Sequence, residues 1–489
     1  MSSSHKQILK TTGLIASVQV IQIIFNIIRN KALAIIVGPA GFGIWSLYKS
    51  FIQMATEFSV LGMHKSAVKE IAQNSDNQPN RDQVIDVFRL SIIVLSFGIF
   101  IISIVYCKSI SYYIFESKDH YFGIMVTGLT VFLTNLSNAN IATLNGLREL
   151  KGLAISQIIG AIIGSLAAIL LVLLLGKQGI PLFILMVAIV TAVSTSYFVK
   201  RLKLKYSVPT KHSIKKHLPA LLKVGMGFCI SAIIASSMTF MSRKFLISFF
   251  DLKAVGIYQS CWSISNMYIG MILGAMGVDL MPRLAKVIHD DKKTSIALNE
   301  QVEFSILLGS FGIIILLIFS PLVLNFFYSS EFNEGITIIK WQLLGVGLRL
   351  LAFPFSYVIM TKEKSFQYIA AQATFWVLDY LLVIVISKYL GFKYLGINFL
   401  IAYLLYYSVT FIFARKLINF KYSKRAIILI VLCFTMIIIA FFISKLSYPS
   451  NYIIGSILIL SNSYVLFFVL KRYLQIDISS ILRKLTGKQ

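Results

Sequence analysis

The sequence has few charged residues, few cysteines and none of the motifs that hold metals or nucleotides. Only 13% of its 489 residues are charged, whereas soluble globular chains carry about a quarter. The four cysteines form no CxxC pair, the six histidines have no metal-ligand spacing, and no Walker-type GxxxxGK(S/T) motif occurs. The low share of charged residues argues against a soluble fold. The missing motifs argue against a disulfide scaffold, a metal centre and a Walker-type ATPase, and we expect no cofactor.

Long apolar stretches dominate the chain instead. Hydrophobic residues make up 57% of it, and many stretches of about 18 residues or more carry no charge, which is typical of transmembrane helices. The sequence therefore predicts an all-α, polytopic membrane protein with about fourteen transmembrane helices. The predicted spans are 8–36, 42–62, 84–107, 120–144, 153–176, 179–199, 219–249, 255–279, 298–327, 334–360, 366–387, 394–415, 426–445 and 451–470.

The net charge of +27 would suit a nucleic-acid partner, but its distribution does not. Lys and Arg lie in short connectors between apolar spans, as anchors on an anionic cytoplasmic leaflet do. With both termini in the cytoplasm, the connectors on that side hold roughly three times as many Lys and Arg residues as the others. We therefore predict cytoplasmic termini and no nucleic-acid partner. The outer connectors are too short for an extracytoplasmic catalytic domain.

A weak internal repeat indicates two lobes. An offset of 213 residues places Gly43 on Gly256 and Ile44 on Ile257. Six spans separate the copies, so both have the same orientation, as in a parallel transporter repeat about an axis along the membrane normal. The predicted divisions are an N-terminal six-helix lobe at 1–199, a basic cytoplasmic linker at 200–218, a second six-helix lobe at 219–416, and two further helices with a cytoplasmic tail at 417–489.

Polar residues recur at helical spacing inside several spans, as expected of helices that line a transport cavity. The second span carries Lys49, Gln53 and Glu57, and the eighth carries Gln259 and Asn266. Lys49 and Glu57 are costly near the middle of a membrane unless hydrated, so we expect both to line a polar cavity with Gln53. We assign a stripe in the fourth span to interhelical hydrogen bonding; it comprises Thr127, Thr130, Thr134 and Ser137.

Basic residues occupy similar places in the two repeats. These are Arg29, Lys31, Arg243 and Lys244, and each could bind a phosphate at membrane depth or lie at the outer interface with its cation in water.

Arg349 and Asp379 lie deep in the tenth and eleventh spans. One interpretation is a structural ion pair between them. The other is functional: Arg349 contacts the substrate, and Asp379 couples transport to protons. Glu57 is the second candidate for ion coupling.

Three short segments resemble the O-antigen and enterobacterial-common-antigen (lipid III) translocases. These belong to the polysaccharide-transporter branch of the multidrug/oligosaccharidyl-lipid/polysaccharide flippase superfamily. The segments are Gly-Pro-Ala-Gly-Phe-Gly at 38–43, Val-Gly-Ile-Tyr-Gln at 255–259 with Ser-Ile-Ser at 263–265, and Trp-Gln-Leu-Leu-Gly at 341–345. The resemblance covers roughly residues 8–415. The two helices predicted after residue 425 lie outside it, and their role stays open.

The resemblance implies two six-helix lobes, a cationic cavity and alternating access. It implies that an undecaprenyl-diphosphate-linked oligosaccharide is moved from the cytoplasmic to the periplasmic leaflet of the bacterial inner membrane. The role of the cavity cations would fall on Arg29, Arg243 and Arg349. A proton or sodium gradient could drive the transport cycle. A polysaccharide polymerase and a chain-length regulator are candidate partners. The alternatives are a cation-coupled drug exporter, for which the first span lacks a carboxylate, and a non-transport membrane subunit of polysaccharide assembly.

Overall fold

The computed structural model describes residues 3–204 and 207–473, which form α-helices joined by short loops and 3-10 turns. No strand occurs within these residues, so the all-α prediction is confirmed. The helices are α1 (Ser3–Val60), α2 (Met63–Gln73), α3 (Gln78–Val105), α4 (Cys107–Phe115), α5 (Tyr121–Gly146), α6 (Leu150–Leu175), α7 (Ile180–Arg201), α8 (Lys211–Phe249), α9 (Leu252–Val287), α10 (Asp291–Ile318), α11 (Ser320–Phe327), α12 (Ile336–Thr361), α13 (Ser365–Tyr389), α14 (Ile397–Ile418), α15 (Lys424–Ile443) and α16 (Ser450–Tyr473).

The described residues include 11 helical segments that are long and apolar enough to cross a membrane, or up to 12 if a bent pair in α9 counts as one span. The protein is therefore a multi-pass membrane protein, although the predicted count of fourteen spans is not confirmed. Two of the segments, Ser17–Val60 and Leu150–Arg201, are 44 and 52 residues long, whereas one crossing needs about 20. Each contains a backbone break at the place where the sequence predicts a boundary between spans.

Gly38 forms the break inside α1. Its φ of 67° and ψ of −175° lie outside the helical region, in a conformation that side chains with a Cβ rarely adopt. Pro39 follows directly, at a position where its missing N–H costs no helical hydrogen bond. The break therefore separates the two halves of α1 that the sequence predicts as 8–36 and 42–62.

Three short helices were not predicted: α2, α4 and α11. With 8 to 11 residues each, they are too short to cross a membrane. The residues Met63, Ala67 and Ile71 recur every fourth position on α2 and are buried there. This face packs into a hydrophobic core with Phe88 of α3 and Leu221 of α8, which fixes α2 against the longer helices.

The chain forms two compact units. Unit 1 comprises Met1–Gln259 and Phe327–Phe332, and unit 2 comprises Ser260–Phe326 and Asn333–Gln489. In unit 2, α12 packs against α10 and α14, and α15 and α16 pack against α10. The predicted lobe and linker boundaries stay predictions, and the predicted tail after residue 473 lies outside the described residues.

The two repeat segments contact each other within unit 1. A Cβ atom added to Gly43 would overlap the carbonyl oxygen of Leu252, and one added to Gly256 would overlap that of Pro39. The offset of 213 residues that relates the two repeats also relates these two contacts to each other. Ser46 donates a hydrogen bond to Gln259, the residue that the same offset aligns with it. Such reciprocity is produced by a local two-fold relationship between the two segments.

We predict that Gly256→Ala destabilises the protein by about 2 kcal/mol, because the methyl group must displace the Pro39 backbone. Gly98→Ala is the matched control, since nothing lies within 4 Å of a Cβ at Gly98 in α3. The control should leave stability unchanged or raise it slightly through higher helix propensity. The measurement is the apparent Tm of both variants in detergent; equal Tm values would contradict the close contact.

His64 of α2 lies outside the membrane spans, and both of its ring nitrogens are buried without a hydrogen-bond partner. Burial lowers the pKa of His64 from 6.5 to about 4, because desolvation disfavours the charged ring. Its ring packs edge-on against Phe88, with centroids 5.7 Å apart. The unfolded chain therefore takes up a proton here at a higher pH than the folded protein does.

This difference predicts a stability loss that begins as pH falls through 6.5 and is complete below about pH 4. His64→Phe should remove that part of the pH dependence. We expect the Tm of the wild type to fall by about 2 °C or more beyond that of His64→Phe between pH 7.5 and 5. Parallel curves of Tm against pH for the two proteins would show that folding does not lower the pKa of His64.

Candidate functional site

Unit 1 contains a cavity, here called the Arg29 cavity, with a volume of about 230 Å³. It lies among α1, α5 and α7, so each wall belongs to a membrane-spanning segment. Its lining residues include two cations, two aromatic rings and a set of hydroxyl and amide side chains. These are Arg29, Lys49, Trp45, Phe183, Thr130, Thr134, Ser137, Asn138 and Thr191.

The two cations of this cavity make few polar contacts with the protein. Arg29 donates from Nη2 to Oδ1 of Asn26 at 2.7 Å, and its guanidinium carbon lies 6.0 Å from the centroid of the Phe183 ring. Its Nε is buried and has no hydrogen-bond partner. The Lys49 ammonium lies 4.7 Å from the centroid of the Trp45 ring. Both side chains therefore keep donor capacity that a ligand in the cavity could use.

Positive charge accumulates around the Arg29 cavity. The Lys49 ammonium is repelled by the charges of Arg29 and Arg243. No carboxylate is among the cavity-lining side chains in the described part of unit 1. Cations at membrane depth are costly unless they are paired or hydrated, so an anionic ligand would stabilise this arrangement.

Arg243 is held by a different set of contacts. It is buried, with 4% of its surface exposed, and donates from Nε and Nη2 to Oε1 of Gln259 at 2.9 and 2.7 Å. Its Nη1 donates to the carbonyl of Thr239 at 2.8 Å, and Ser46 donates to the same Gln259 oxygen at 3.0 Å. The structure thus joins two predicted site residues, Arg243 and Gln259, and these bonds restrain Arg243 as part of the protein framework.

The other predicted residues of unit 1 lie apart from the cavity lining. Lys244 forms an ion pair with Glu116 at 3.5 Å and donates to Ser248 at 2.9 Å. Gln53 is exposed and Lys31 is half-buried on α1. Glu57 is half-buried near the charge of Lys65. Their predicted roles in substrate binding and ion coupling stay predictions.

The assignment of the α5 hydroxyl stripe to interhelical hydrogen bonding was wrong. Thr127 and Thr130 donate to the carbonyls of Ile124 and Val126, and Ser137 donates to Leu133, all at 2.8 Å and all within α5. Because each hydroxyl bonds to its own helix, it still offers oxygen lone pairs on the helix surface. Three members of the stripe, Thr130, Thr134 and Ser137, line the Arg29 cavity.

Unit 2 contains a second cavity of about 360 Å³, here called the Arg349 cavity, among α9, α12, α13 and α14. Arg349 donates from Nη1 to Oδ1 of Asn266 at 2.5 Å, which brings two more predicted residues together. Its guanidinium carbon lies 5.8 Å from the centroid of the Tyr403 ring. Aromatic side chains form most of the wall: Phe353, Tyr357, Tyr368, Phe375, Trp376, Tyr403 and Tyr406.

Asp379 is buried on α13, where its Oδ1 accepts a hydrogen bond from Nδ2 of Asn398 at 2.6 Å. Arg349 contacts Asn266 and the Tyr403 ring. Arg349 also lines the cavity. Whether Asp379 couples transport to an ion stays a prediction.

The aromatic residues of both cavities were missed from the sequence. Trp45, Phe183 and Trp376 resemble the many aromatic residues that are exposed on apolar helices. A signal was present for two of them, since Trp45 lies one turn before Lys49 and Trp376 one turn after Gln372, and residues so spaced share a helix face.

Comparison with known proteins agrees with the resemblance found in the short motifs. The sequence is 24% identical to the lipid III flippase of Escherichia coli (strain K12) over 355 residues, which cover 71% of this chain and 84% of that protein. The fold matches the lipid II flippase MurJ in its inward closed conformation, with a TM-score of 0.73 and 15% identity, covering 94% of this chain and 99% of that one.

A second structural match is an inward-facing multidrug resistance MATE family transporter of the MOP superfamily. Its TM-score is 0.68 at 16% identity, and the match covers 81% of this chain and 94% of that one. The fold is therefore MurJ- and MATE-like. These relatives are named as flippases and transporters, which confirms the prediction of a transporter rather than an enzyme.

The family itself follows from a match to a family model. The sequence matches the model of the family described as "Polysaccharide biosynthesis protein" over residues 8–288, which is more than half of the chain. The protein therefore belongs to the polysaccharide biosynthesis protein family.

Proposed function

We propose that the protein is a flippase for an undecaprenyl-diphosphate-linked oligosaccharide, such as an O-antigen repeat unit. It moves this lipid from the cytoplasmic to the periplasmic leaflet of the bacterial inner membrane by alternating access, with both termini in the cytoplasm. The lipid III flippase name of a relative with 84% coverage supports this substrate class. A polysaccharide polymerase and a chain-length regulator are the proposed protein partners.

The observation that carries the proposal is the pair of cations, Arg29 and Lys49, on the wall of one cavity inside membrane-spanning helices. A diphosphate is doubly charged and must lose water to enter the membrane, so it needs cations at that depth. Arg29 offers a planar fork that fits phosphate oxygens, and Lys49 offers a point charge. The hydroxyls of Thr130, Thr134 and Ser137 can add polar contacts around the anion.

Arg243 has a supporting role in this proposal. Its guanidinium is tied to Gln259 and Thr239, so it contributes fixed positive charge near Lys49. Charge held in place before the ligand arrives requires no rearrangement on binding. The candidate ligands of the diphosphate are therefore Arg29 and Lys49.

The transport test uses liposomes with a fluorescent undecaprenyl-diphosphate oligosaccharide, following its appearance in the opposite leaflet. We expect Arg29→Ala and Lys49→Ala each to lower the transport rate about tenfold or more, because each removes a charged contact to phosphate. The transport rate of Arg29→Lys should lie between those of the wild type and Arg29→Ala, because Lys keeps the positive charge but lacks the planar guanidinium fork.

Arg201→Ala is the matched control, because Arg201 ends α7 and stacks on Tyr197 outside the cavity lining. It should transport at the wild-type rate. Full activity of folded Arg29→Ala and Lys49→Ala would remove the cationic cavity from the mechanism. Transport of small cationic drugs without transport of any lipid-linked sugar would favour the exporter alternative.

We further propose that a proton or sodium gradient drives transport, with Glu57 and Asp379 as the coupling carboxylates. A buried Asp379 held by Asn398 and a half-buried Glu57 near Lys65 are suited to gain or lose a charge during the cycle. Glu57→Gln or Asp379→Asn should abolish the stimulation by an imposed gradient and leave slow, gradient-independent exchange. Undiminished stimulation in both variants would exclude these two residues from coupling.

A further inference from the structure

We propose that the Arg349 cavity of unit 2 is a binding site for sugar rings, separate from the cations that hold the diphosphate. The inference rests on the proposed function, because it assigns the oligosaccharide part of the same lipid-linked substrate. The cavity volume of about 360 Å³ falls in the range of small-ligand sites, roughly 300–1,000 Å³.

Packed aromatic rings form a fixed wall of this cavity. The Phe375 and Tyr403 rings lie 4.2 Å apart between centroids, and the Phe375 and Trp376 rings lie 5.0 Å apart in an edge-on arrangement. Phe375, Tyr403 and Tyr406 are almost fully buried, whereas Trp376 and Tyr368 are half-buried. The buried rings hold the half-buried ones in place, and a flat aromatic surface can stack on the C–H face of a pyranose ring.

Hydrogen-bonding groups border the same wall. The Gln372 amide donates from Nε2 to the Tyr406 hydroxyl at 3.3 Å, and its carbonyl oxygen can accept from a ligand. Arg349 adds a fork of donors, of which Nη1 bonds to Asn266. Tyr357 adds a hydroxyl that can both donate and accept. Aromatic surface beside amide, guanidinium and hydroxyl groups matches a sugar, which has an apolar face and a polar rim.

Two glycines keep the α9 side of the cavity open. Gly270 and Gly274 of α9 line the cavity, and a Cβ atom at either would meet nothing within 4 Å. Gly277, one turn further along, differs because a Cβ there would overlap the Tyr357 hydroxyl. The absence of side chains at 270 and 274 therefore leaves space for a ligand rather than for a neighbouring helix.

The depth of these residues argues against an interfacial aromatic belt. Belt tyrosines and tryptophans lie at helix ends, as Tyr357 and Tyr368 do here. In contrast, Tyr403 and Tyr406 lie well inside α14, and Arg349 lies in the middle of α12. A lipid chain would gain nothing from Arg349 or Gln372, whose desolvation it cannot offset. The cavity lies towards the connector between α12 and α13, which the predicted topology places in the cytoplasm, where the sugars start their transfer.

The first test places a side chain in the open space. We expect Gly270→Leu to lower liposome transport of an undecaprenyl-diphosphate trisaccharide about tenfold, and to affect undecaprenyl diphosphate with one N-acetylhexosamine less. Gly98→Leu is the matched control, because Gly98 is an exposed helical glycine with equal space. Equal transport of the trisaccharide lipid by Gly270→Leu and wild type would overturn the sugar site. If the wild type moves neither lipid, the proposed function fails instead.

The second test detects binding without transport. Trp376 lines the cavity and is one of four tryptophans, so the free trisaccharide should change the protein's tryptophan fluorescence. The change should be lost in Trp376→Phe, which keeps an aromatic ring, and in Gly270→Leu. A brominated phospholipid that quenches Trp376 while the sugar has no effect would assign the cavity to a lipid chain and overturn the proposal. A fluorescence response unchanged by both substitutions would also overturn it.

Discussion

The backbone contact between Gly43 and Gly256 is the constraint on which the cationic region of unit 1 depends. Because neither residue has a side chain, α1 and the start of α9 approach until a Cβ would overlap a carbonyl oxygen. One turn further along, this approach places Ser46 at hydrogen-bond distance from Gln259. Gln259 in turn holds Arg243, whose charge acts on Lys49 in the neighbouring cavity. A steric property of two glycines thus determines where a buried charge lies.

The cations in the membrane-spanning helices of unit 1 fall into two groups according to how their hydrogen bonds are satisfied. Arg243 has three bonds to Gln259 and Thr239, which offset much of the cost of burial. Arg29 and Lys49 rely mainly on one amide and on aromatic rings, and Arg29 keeps a buried Nε without a partner. The first arrangement suits a fixed charge, and the second suits ligand binding. Charge and position within an apolar span, the two properties available from the sequence, do not separate these groups.

The two cavities offer different chemistry, and a lipid-linked oligosaccharide contains a match for each. The Arg29 cavity is cationic with hydroxyls around it, which suits a diphosphate. The Arg349 cavity is mainly aromatic with amide, hydroxyl and guanidinium groups, which suits sugars. Sequence reasoning found the cations of both, because a charge in an apolar span is conspicuous. It missed Phe183 and Trp376, because an aromatic residue costs nothing in a membrane helix whichever way it points.

The sequence by itself determined the all-α membrane fold, most helix boundaries, the Gly38 break and the alignment of Gly43 with Gly256. These features depend on local hydropathy, backbone freedom and short-range spacing, which are properties of neighbouring residues along the chain. Only the tertiary structure decided that the Thr130 stripe lines a cavity, that Lys244 pairs with Glu116, and that Gly270 leaves open space. In a membrane helix, lipid-facing and protein-facing sides can both be apolar, so the neighbours of a residue are set by packing between helices rather than by hydrophobic periodicity.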